Sequence, residues 1–220
     1  MLSTFPTHKV PVADEHKGEG TMSDNELILQ QKALQTEAGN IVEELKLNDL
    51  LSQAGEPVRV GSSALGLMVW RDLDITVICS RLDQHVVAQI ASEIMVHTGV
   101  RELKFINDSG TWNTDPTYPD GLYLGLKYRS GQGKDWKLDI WFIDEPERQP
   151  DLGHIKTMPE RLTPERRHSI LRIKSIWAQR AEYGKTVRSY DIYTAVLDDN
   201  VHTPDQFLEW MEQRSTKGGS

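Results

Sequence analysis

The chain has 220 residues, of which 38% are hydrophobic and 26% charged, as in an ordinary globular protein. Its 33 acidic residues outnumber 25 basic ones, which argues against a protein that coats nucleic acid but leaves room for a local basic patch. The single cysteine, Cys79, excludes an internal disulfide and a zinc site built from cysteines. The N-terminus has no apolar signal region and no apolar run is long enough to span a bilayer, so we expect a cytoplasmic protein without membrane contact.

The first half of the chain is predicted to alternate helices and strands. Residues 1–22 lack periodicity and are predicted to be a mobile tail. Apolar residues at steps of seven and four predict one long helix over 24–51, or two helices with a break near Gly39. The segments that follow are predicted as a short strand, a second strand and a helix: 58–60, 72–79 and 82–97.

The second half is predicted to begin with strands and to end in helices. The predicted strands are 100–106, 122–129 and 136–143. A long polar loop over 107–121 separates the first two, and loops of this length in compact domains are often functional. Capping signals predict three helices, which begin at Thr163, Ser189 and Thr203. The first of them is predicted to run to Tyr183 and the last to Trp210.

The predicted elements divide the chain into four parts. These are a disordered tail over 1–22, a mixed α/β core over 23–148, a helical region over 149–213 and a disordered end over 214–220. The predicted fold class is therefore α+β, with a mixed β-sheet flanked by helices and followed by a C-terminal helical region.

Asp72 and Asp74 lie on one predicted strand, two residues apart. Their side chains therefore share one face, about 6.6 Å apart. The alternating Leu73, Ile75 and Val77 mark the opposite face as the core. Two carboxylates this close repel each other unless they are protonated or share a cation, and Mg²⁺ prefers a few carboxylates together with phosphate oxygens and water. Taken alone, the pair is more simply interpreted as two ordinary charges on a surface strand.

A third aspartate favours the metal interpretation. Asp139 interrupts the apolar run Trp136-Lys-Leu-Asp-Ile-Trp-Phe-Ile143. A lone carboxylate in a central strand is costly to bury without a partner. A cation shared with Asp72 and Asp74 would supply that partner.

The segment before the aspartates, Val60-Gly-Ser-Ser-Ala-Leu-Gly66, is spaced like the start of a phosphate-binding loop. The lysine and the hydroxyl residue that should follow are replaced by Leu67 and Met68. With Asp72-Leu-Asp74 and Asp139, this Gly-Ser turn resembles the DNA polymerase β-like nucleotidyltransferase superfamily, small bacterial type.

The resemblance is close over 58–78 and rests on element order and the third acid over 79–143. It implies a nucleotidyltransferase core and a reaction that moves a nucleoside monophosphate from an NTP to a hydroxyl, with release of pyrophosphate. It assigns catalysis and two Mg²⁺ ions to the three acids: Asp72, Asp74 and Asp139. It assigns nucleotide binding to the turn: Gly61, Ser62 and Ser63.

Two basic features have open interpretations. Lys127 shares a face with Tyr123 and Gly125 on its predicted strand. It either lies beside Asp139 and the nucleotide phosphates or is an ordinary solvated lysine. The basic helix over 164–183 is either a solvated face or the binding site of an anionic acceptor such as RNA.

The predicted function is a magnesium-dependent nucleotidyltransferase that uses an NTP, first of all ATP. Its acceptor, a small molecule, an RNA or a protein, is not identified by the sequence. The alternative is a binding or regulatory partner protein of the same fold, of toxin–antitoxin type, without turnover. The intact set of three acids favours the enzyme.

Overall fold

The computed structural model describes residues 22–217, with side chains through residue 214. The predicted tail up to residue 21 and the last three residues of the predicted end lie outside this range. The described strands are β1 (Gly55–Val60), β2 (Asp72–Cys79), β3 (Val100–Asp108), β4 (Gly121–Arg129) and β5 (Asp135–Ile143). The described α-helices are α1 (Asp24–Glu44), α2 (Leu47–Leu51), α3 (Gly61–Leu65), α4 (Gln84–Met95), α5 (Pro150–Thr157), α6 (Pro164–Trp177), α7 (Ser189–Leu197) and α8 (Pro204–Lys217). None of these helices is both long and apolar enough to cross a bilayer.

The strands form one mixed sheet in the order β1-β2-β5-β4-β3. The β2–β5 pair is parallel, and the other three pairs are antiparallel. With helices packed around it, this sheet confirms the predicted α+β class. Leu73, Leu138 and Leu124 are fully buried on one face of the sheet, in a core shared with α1, α2 and α4.

The opposite face of the sheet carries polar and aromatic side chains in rows. In the first row, which we call the aspartate row, Asp74 pairs with Asp139 and Asp139 with Gly125. In the next row, which we call the aromatic row, Thr76 pairs with Trp141 and Trp141 with Tyr123. Because residues two apart on a strand share a face, the two rows are neighbours on the same surface.

The C-terminal helices form a second hydrophobic core. Ile170, Trp177 and Phe207 are buried in it, together with Leu65 and Leu67 from the segment that follows the Gly-Ser turn. The helical region is thus packed against the segment that leads into the aspartates. This contact positions side chains of α6 and α7 at the turn.

The first helix differs from its prediction. It continues through Gly39, and the break falls instead at Lys46, whose φ of 51° is left-handed. A Cβ at Gly39 would meet no other atom within 4 Å, so this glycine marks neither a close contact nor a turn. The prediction of a break near Gly39 was therefore wrong. The strand predicted over 58–60 begins earlier, at Gly55, because β1 is an edge strand and tolerates Pro57.

The later helices begin where they were predicted but end elsewhere. Thr163 caps α6 by accepting a hydrogen bond from the backbone of Arg166, yet the helix stops at Trp177 instead of Tyr183. The last helix continues to Lys217, past both Trp210 and residue 213. Caps are local signals, whereas helix ends depend on packing against other elements.

Candidate active site

The three predicted acids come together at one end of the sheet. Asp72, Asp74 and Asp139 each offer one carboxylate oxygen, and these oxygens all lie within 4.8 Å of one another. Parallel pairing of β2 with β5 produces this arrangement, because it places Asp74 directly opposite Asp139. The side chains of Asp72 and Asp139 are 21% and 16% exposed, so the group is partly open to solvent.

Negative charge accumulates in this group. Burial raises the pKa of Asp72, Lys137 lowers it and Asp139 raises it again. Burial raises the pKa of Asp74 well above its usual value, and Asp72, Asp139 and Asp151 raise it further. A pKa raised in this way means that the charged form lacks compensating positive charge.

The group fits a hard divalent cation. Asp72 Oδ1 is buried and accepts no hydrogen bond from any described residue. An orphaned carboxylate oxygen is costly unless a cation compensates it. All the offered atoms are carboxylate oxygens, the donors that Mg²⁺ prefers.

The lysine beside the acids is Lys137, which the sequence analysis did not single out. Its Nζ lies 2.5 Å from Asp139 Oδ2 and 3.8 Å from Asp72 Oδ1. Partial burial would lower the pKa of Lys137, but the two aspartates outweigh it and raise that pKa. The position two residues before Asp139 was the available signal, since such residues share a face.

Lys127, for which the sequence left two interpretations open, pairs with an acid on the neighbouring strand. It pairs with Lys137 across β4 and β5, whereas the residue opposite Asp139 is Gly125. Its Nζ is 2.7 Å from Glu102 on β3. The ammonium group that contacts Asp139 is therefore that of Lys137 and not that of Lys127.

The Gly-Ser turn packs directly on the acids. Gly61 has a left-handed φ of 63° at the start of α3. A Cβ at this position would overlap the carboxylate of Asp74, with its centre 2.9 Å from Cγ. Only glycine tolerates both the conformation and the contact, so the turn and the aspartate are fitted to each other.

Ser62 is held by a lysine from the C-terminal region. Lys174 Nζ donates to Ser62 Oγ at 2.6 Å, to the Leu67 carbonyl at 2.8 Å and to the Tyr193 hydroxyl at 3.1 Å. Lys174 is only 1% exposed, and this burial lowers its pKa. The sequence pattern gave no sign of this contact, because α6 and the turn lie far apart in the chain.

The side chain of Ser63 is buried and bonded within its own turn. Its side chain is 1% exposed, and its hydroxyl donates to the Val60 carbonyl at 3.2 Å. Any contact of Ser63 with a nucleotide would therefore use its backbone.

Several basic side chains of the helix over 164–183 are engaged inside the protein. Arg167 donates to the carbonyls of Leu65 and Gly66, at 2.6 and 2.8 Å. Arg172 forms an ion pair with Asp24 at 2.5 Å, and Lys174 is buried. These contacts reduce the charge that the helix can offer an RNA, and such binding stays a prediction.

Replacing Lys174 by methionine is expected to lower the free energy of unfolding by about 1–3 kcal/mol, because the Leu67 carbonyl loses the ammonium donor and the Tyr193 hydroxyl keeps only its hydrogen bond with Ser62 Oγ. Urea denaturation would measure the loss. Ser62→Ala removes only one of the three acceptors and should cost about 1 kcal/mol. A Lys174→Met variant as stable as the wild type would contradict the stabilising role of these hydrogen bonds.

Two cavities adjoin the acids, one lined by Asp72 and the other by Asp74 and Asp139. A wide groove of about 1360 Å³ is lined by Trp70, Asp72, Lys127 and Lys137 and by one side of α1. A smaller cavity of about 340 Å³ opens beside Asp74 and Asp139 on the sheet face. The acids therefore adjoin two spaces that could hold different reactants.

Comparison with known proteins identifies the fold. No family model matches the chain, and no curated protein does. Among solved structures, Cid1 in complex with its short product ApU has a TM-score of 0.52 and 19% identity, covering 80% of this chain and 55% of that one. Cid1 described for its RNA terminal uridylyl transferase activity has a TM-score of 0.52 and 21% identity, covering 82% and 49%. The Cid1 poly(U) polymerase crystal structure has a TM-score of 0.50 and 20% identity, covering 82% and 56%.

These structures share a fold with the chain across most of its length. The chain in turn spans about half the length of each of them. At this level of identity the likeness establishes the fold. The protein therefore has the fold of these uridylyl transferase and poly(U) polymerase structures, and the Gly-Ser turn and the three acids had led us to expect a fold of this kind.

Proposed function

We propose that this protein is a magnesium-dependent nucleotidyltransferase, which transfers a nucleoside monophosphate from an NTP to a hydroxyl group and releases pyrophosphate. One observation carries the proposal: three carboxylate oxygens within 4.8 Å of one another, beside a glycine turn fitted against Asp74. The shared fold of the Cid1 structures supports it.

Asp72, Asp74 and Asp139 are the residues that would hold Mg²⁺, and the superfamily resemblance implies two ions. When bound, the metal neutralises phosphate charge and activates the attacking oxygen. Lys137 already compensates part of the negative charge on Asp139 and Asp72. Its side chain is 60% exposed, so it has room to move aside and contact a phosphate.

The Gly-Ser turn would bind the phosphates of the nucleotide. Gly61 exposes backbone there, and Ser62 offers its hydroxyl, while Ser63 can offer only its N–H group. Lys174 fixes the orientation of the Ser62 hydroxyl and brings a buried positive charge behind the turn. The lysine of a phosphate-binding loop contacts the phosphates directly, whereas Lys174 is buried and would act on the nucleotide only through Ser62.

The nucleoside half of the NTP would occupy the wide groove beside Asp72. Trp70 offers an aromatic surface there, 36% exposed, and packs edge-on against Tyr183. Lys127 lines the same groove, so its proposed role is contact with the nucleotide from this side. ATP is the first nucleotide to test.

The proposed reaction forms one bond and breaks one. The acceptor oxygen bonds to the α-phosphorus of the NTP, and its proton passes to a carboxylate oxygen of Asp139. The bond between the α-phosphorus and the bridging oxygen breaks, and pyrophosphate leaves with the electron pair. The position of Asp139 supports this role, because Asp139 belongs to the group of three acids and also lines the smaller cavity.

Incubation with ATP labelled at the α-phosphate, Mg²⁺ and a cell extract is expected to transfer the label to one fraction of the extract. ATP labelled at the γ-phosphate should transfer none, because that phosphate leaves with pyrophosphate. The other three NTPs, labelled in the same way, test the choice of base. Binding of Mg·NTP in calorimetry without transfer from any of the four would favour the non-catalytic partner protein. Absence of binding would contradict the site itself.

A further inference from the structure

The smaller cavity lies on the exposed sheet face, next to the three acids. Its volume is about 340 Å³, at the lower end of the range of about 300–1,000 Å³ for small-molecule sites. Its floor is the aromatic row, in which Thr76, Trp141, Tyr123 and Ile106 lie side by side across four strands. A molecule on this floor would lie one row from Asp139, a spacing of about 6.6 Å along the strand.

Thr76 provides an unused polar group at this cavity. The residue is 1% exposed, and its Oγ1 has no hydrogen-bond partner within residues 22–217. Buried hydroxyls nearly always find a partner, so one without any calls for a water or a ligand to complete it. Because Thr76 lines the cavity, a polar group of a bound molecule can supply the missing bond once the threonine side chain rotates toward it.

Two aromatic rings form the rest of the floor. The centroids of Tyr123 and Trp141 are 5.0 Å apart, and their planes are inclined by 46°. A Cβ at Gly125 would lie 2.8 Å from Tyr123 Cζ, and one at Gly121 would lie 3.1 Å from Trp141 Cε3. Each ring therefore covers a glycine, in the space that a side chain would otherwise fill. The two rings together give the cavity an aromatic floor.

Tyr123 also connects the aromatic floor to the three acids through a hydrogen bond. Its hydroxyl donates a hydrogen bond to Asp139 Oδ1. A ring that rests on Tyr123 is thus placed with respect to the carboxylate that would receive the proton of the acceptor.

The charge around the cavity disfavours an anion. Its carboxylates are those of Asp74, Asp139 and Asp151, and its ammonium groups are those of Lys104 and Lys137. Lys137 is already paired with Asp139. Asp151, contributed by α5, is not a member of the metal-binding group and adds a carboxylate on this side.

We infer that this cavity is the acceptor subsite of the proposed nucleotidyltransferase, and that it takes one hydroxyl-bearing ring of an uncharged or cationic small molecule, such as a sugar, a cyclitol or an amino sugar. The inference rests on the proposed function. The ring lies on Tyr123 and Trp141, and one of its polar groups completes the hydrogen bonding of Thr76. A second hydroxyl faces Asp139, gives up its proton there and bonds to the α-phosphorus as pyrophosphate leaves.

The test measures transfer from α-labelled ATP to a panel of ring alcohols. The probes are glucose and myo-inositol as neutral rings, glucosamine as a cation, glucose 6-phosphate as an anion, and a ten-nucleotide RNA. We expect transfer to neutral or cationic rings. Thr76→Val should raise the acceptor KM about fivefold, the worth of one hydrogen bond, and Trp141→Leu should raise it at least tenfold. Neither should change the Kd for Mg·ATP by more than twofold.

Controls separate an acceptor role from a structural one. Thr76→Val keeps the side-chain shape and removes an unpartnered hydroxyl, so its melting temperature should equal or exceed that of the wild type. Trp112→Leu replaces a tryptophan that is 70% exposed in the loop between β3 and β4. This variant should leave the acceptor KM and the Kd for Mg·ATP unchanged.

Two results would overturn the assignment of the cavity while leaving the proposed function in place. One is an acceptor KM that stays the same in both cavity variants. The other is transfer to RNA, to glucose 6-phosphate or to a fraction of a cell extract in preference to every neutral and cationic ring of the panel. Failure of the wild type to bind Mg·ATP would instead contradict the proposed function.

Discussion

Asp74→Asn and Asp139→Asn are each expected to lower the rate of nucleotide transfer at least about 1000-fold, or about 4 kcal/mol of transition-state stabilisation. Each change removes one carboxylate from a group whose oxygens lie within 4.8 Å of one another. An amide oxygen carries no net charge and binds Mg²⁺ more weakly. Steady-state transfer from α-labelled ATP would measure the loss, and calorimetry would show whether Mg·ATP binding weakens with it.

The same Asp74→Asn variant is expected to be more stable than the wild type without metal. Burial, Asp72 and Asp139 raise the pKa of Asp74. Above the unfolded value of about 3.9, the folded state then binds more protons, so the free energy of unfolding falls as pH rises through the folded pKa. In EDTA the wild-type melting temperature should therefore decline from pH 5 to pH 8 more steeply than that of the variant.

Asp135→Asn is the matched control for these changes. Asp135 lies on β5 like Asp139, but its side chain is 71% exposed and its partner is Arg129 at 2.6 Å. An exposed ion pair contributes little to stability, so this variant should keep the activity and the pH dependence of the wild type. Activity retained in Asp74→Asn and Asp139→Asn would place the catalytic group elsewhere.

The acid cluster could be predicted from the sequence because it depends on short-range alternation. Leu73, Ile75 and Val77 mark the core face of β2, which leaves Asp72 and Asp74 on the other side. The same period of two applies to β5 and Asp139. The parallel pairing that joins the strands was not part of the prediction, which specified only a mixed sheet.

The choice between the two lysines could not be made in the same way. Lys137 lies two residues before Asp139 on the same strand, so the sequence alone places it on the same face, whereas the distance of Lys127 from Asp139 depends on the register between β4 and β5. A single strand carries no information about its register with a partner. Register depends on the whole sheet and its turns.

Lys174 escaped prediction for a different reason. It sits among buried apolar residues of α6, and its three acceptors come from the turn region and from α7. A lysine in such a helix is ordinarily solvated. Only the packing of α6 against the Gly-Ser segment explains why burial is tolerated here, since every contact that stabilises the ammonium is long-range.

Gly61→Ala is expected to lower kcat/KM for nucleotide transfer about 100-fold, the effect of displacing reacting groups by about 1 Å. The new Cβ would overlap the carboxylate of Asp74, so either the turn or the aspartate must move. The left-handed φ of 63° adds a backbone cost of about 1–2 kcal/mol to any residue with a Cβ. Transfer kinetics and urea denaturation would measure the two effects separately.

Gly66→Ala is the control that separates the effect of backbone strain from the effect of displacing the Asp74 carboxylate. Gly66 has nearly the same backbone, with a φ of 67°, and ends the same short helix. Its Cβ would meet Arg167 Nη1 at 2.8 Å, the far end of a flexible side chain that can shift. Both variants should therefore lose similar stability, whereas Gly66→Ala should keep kcat/KM within about threefold of the wild type, an effect smaller than one hydrogen bond. If the two variants lost activity equally, backbone strain would explain the loss, and the fit between Gly61 and Asp74 would have no part in positioning the nucleotide.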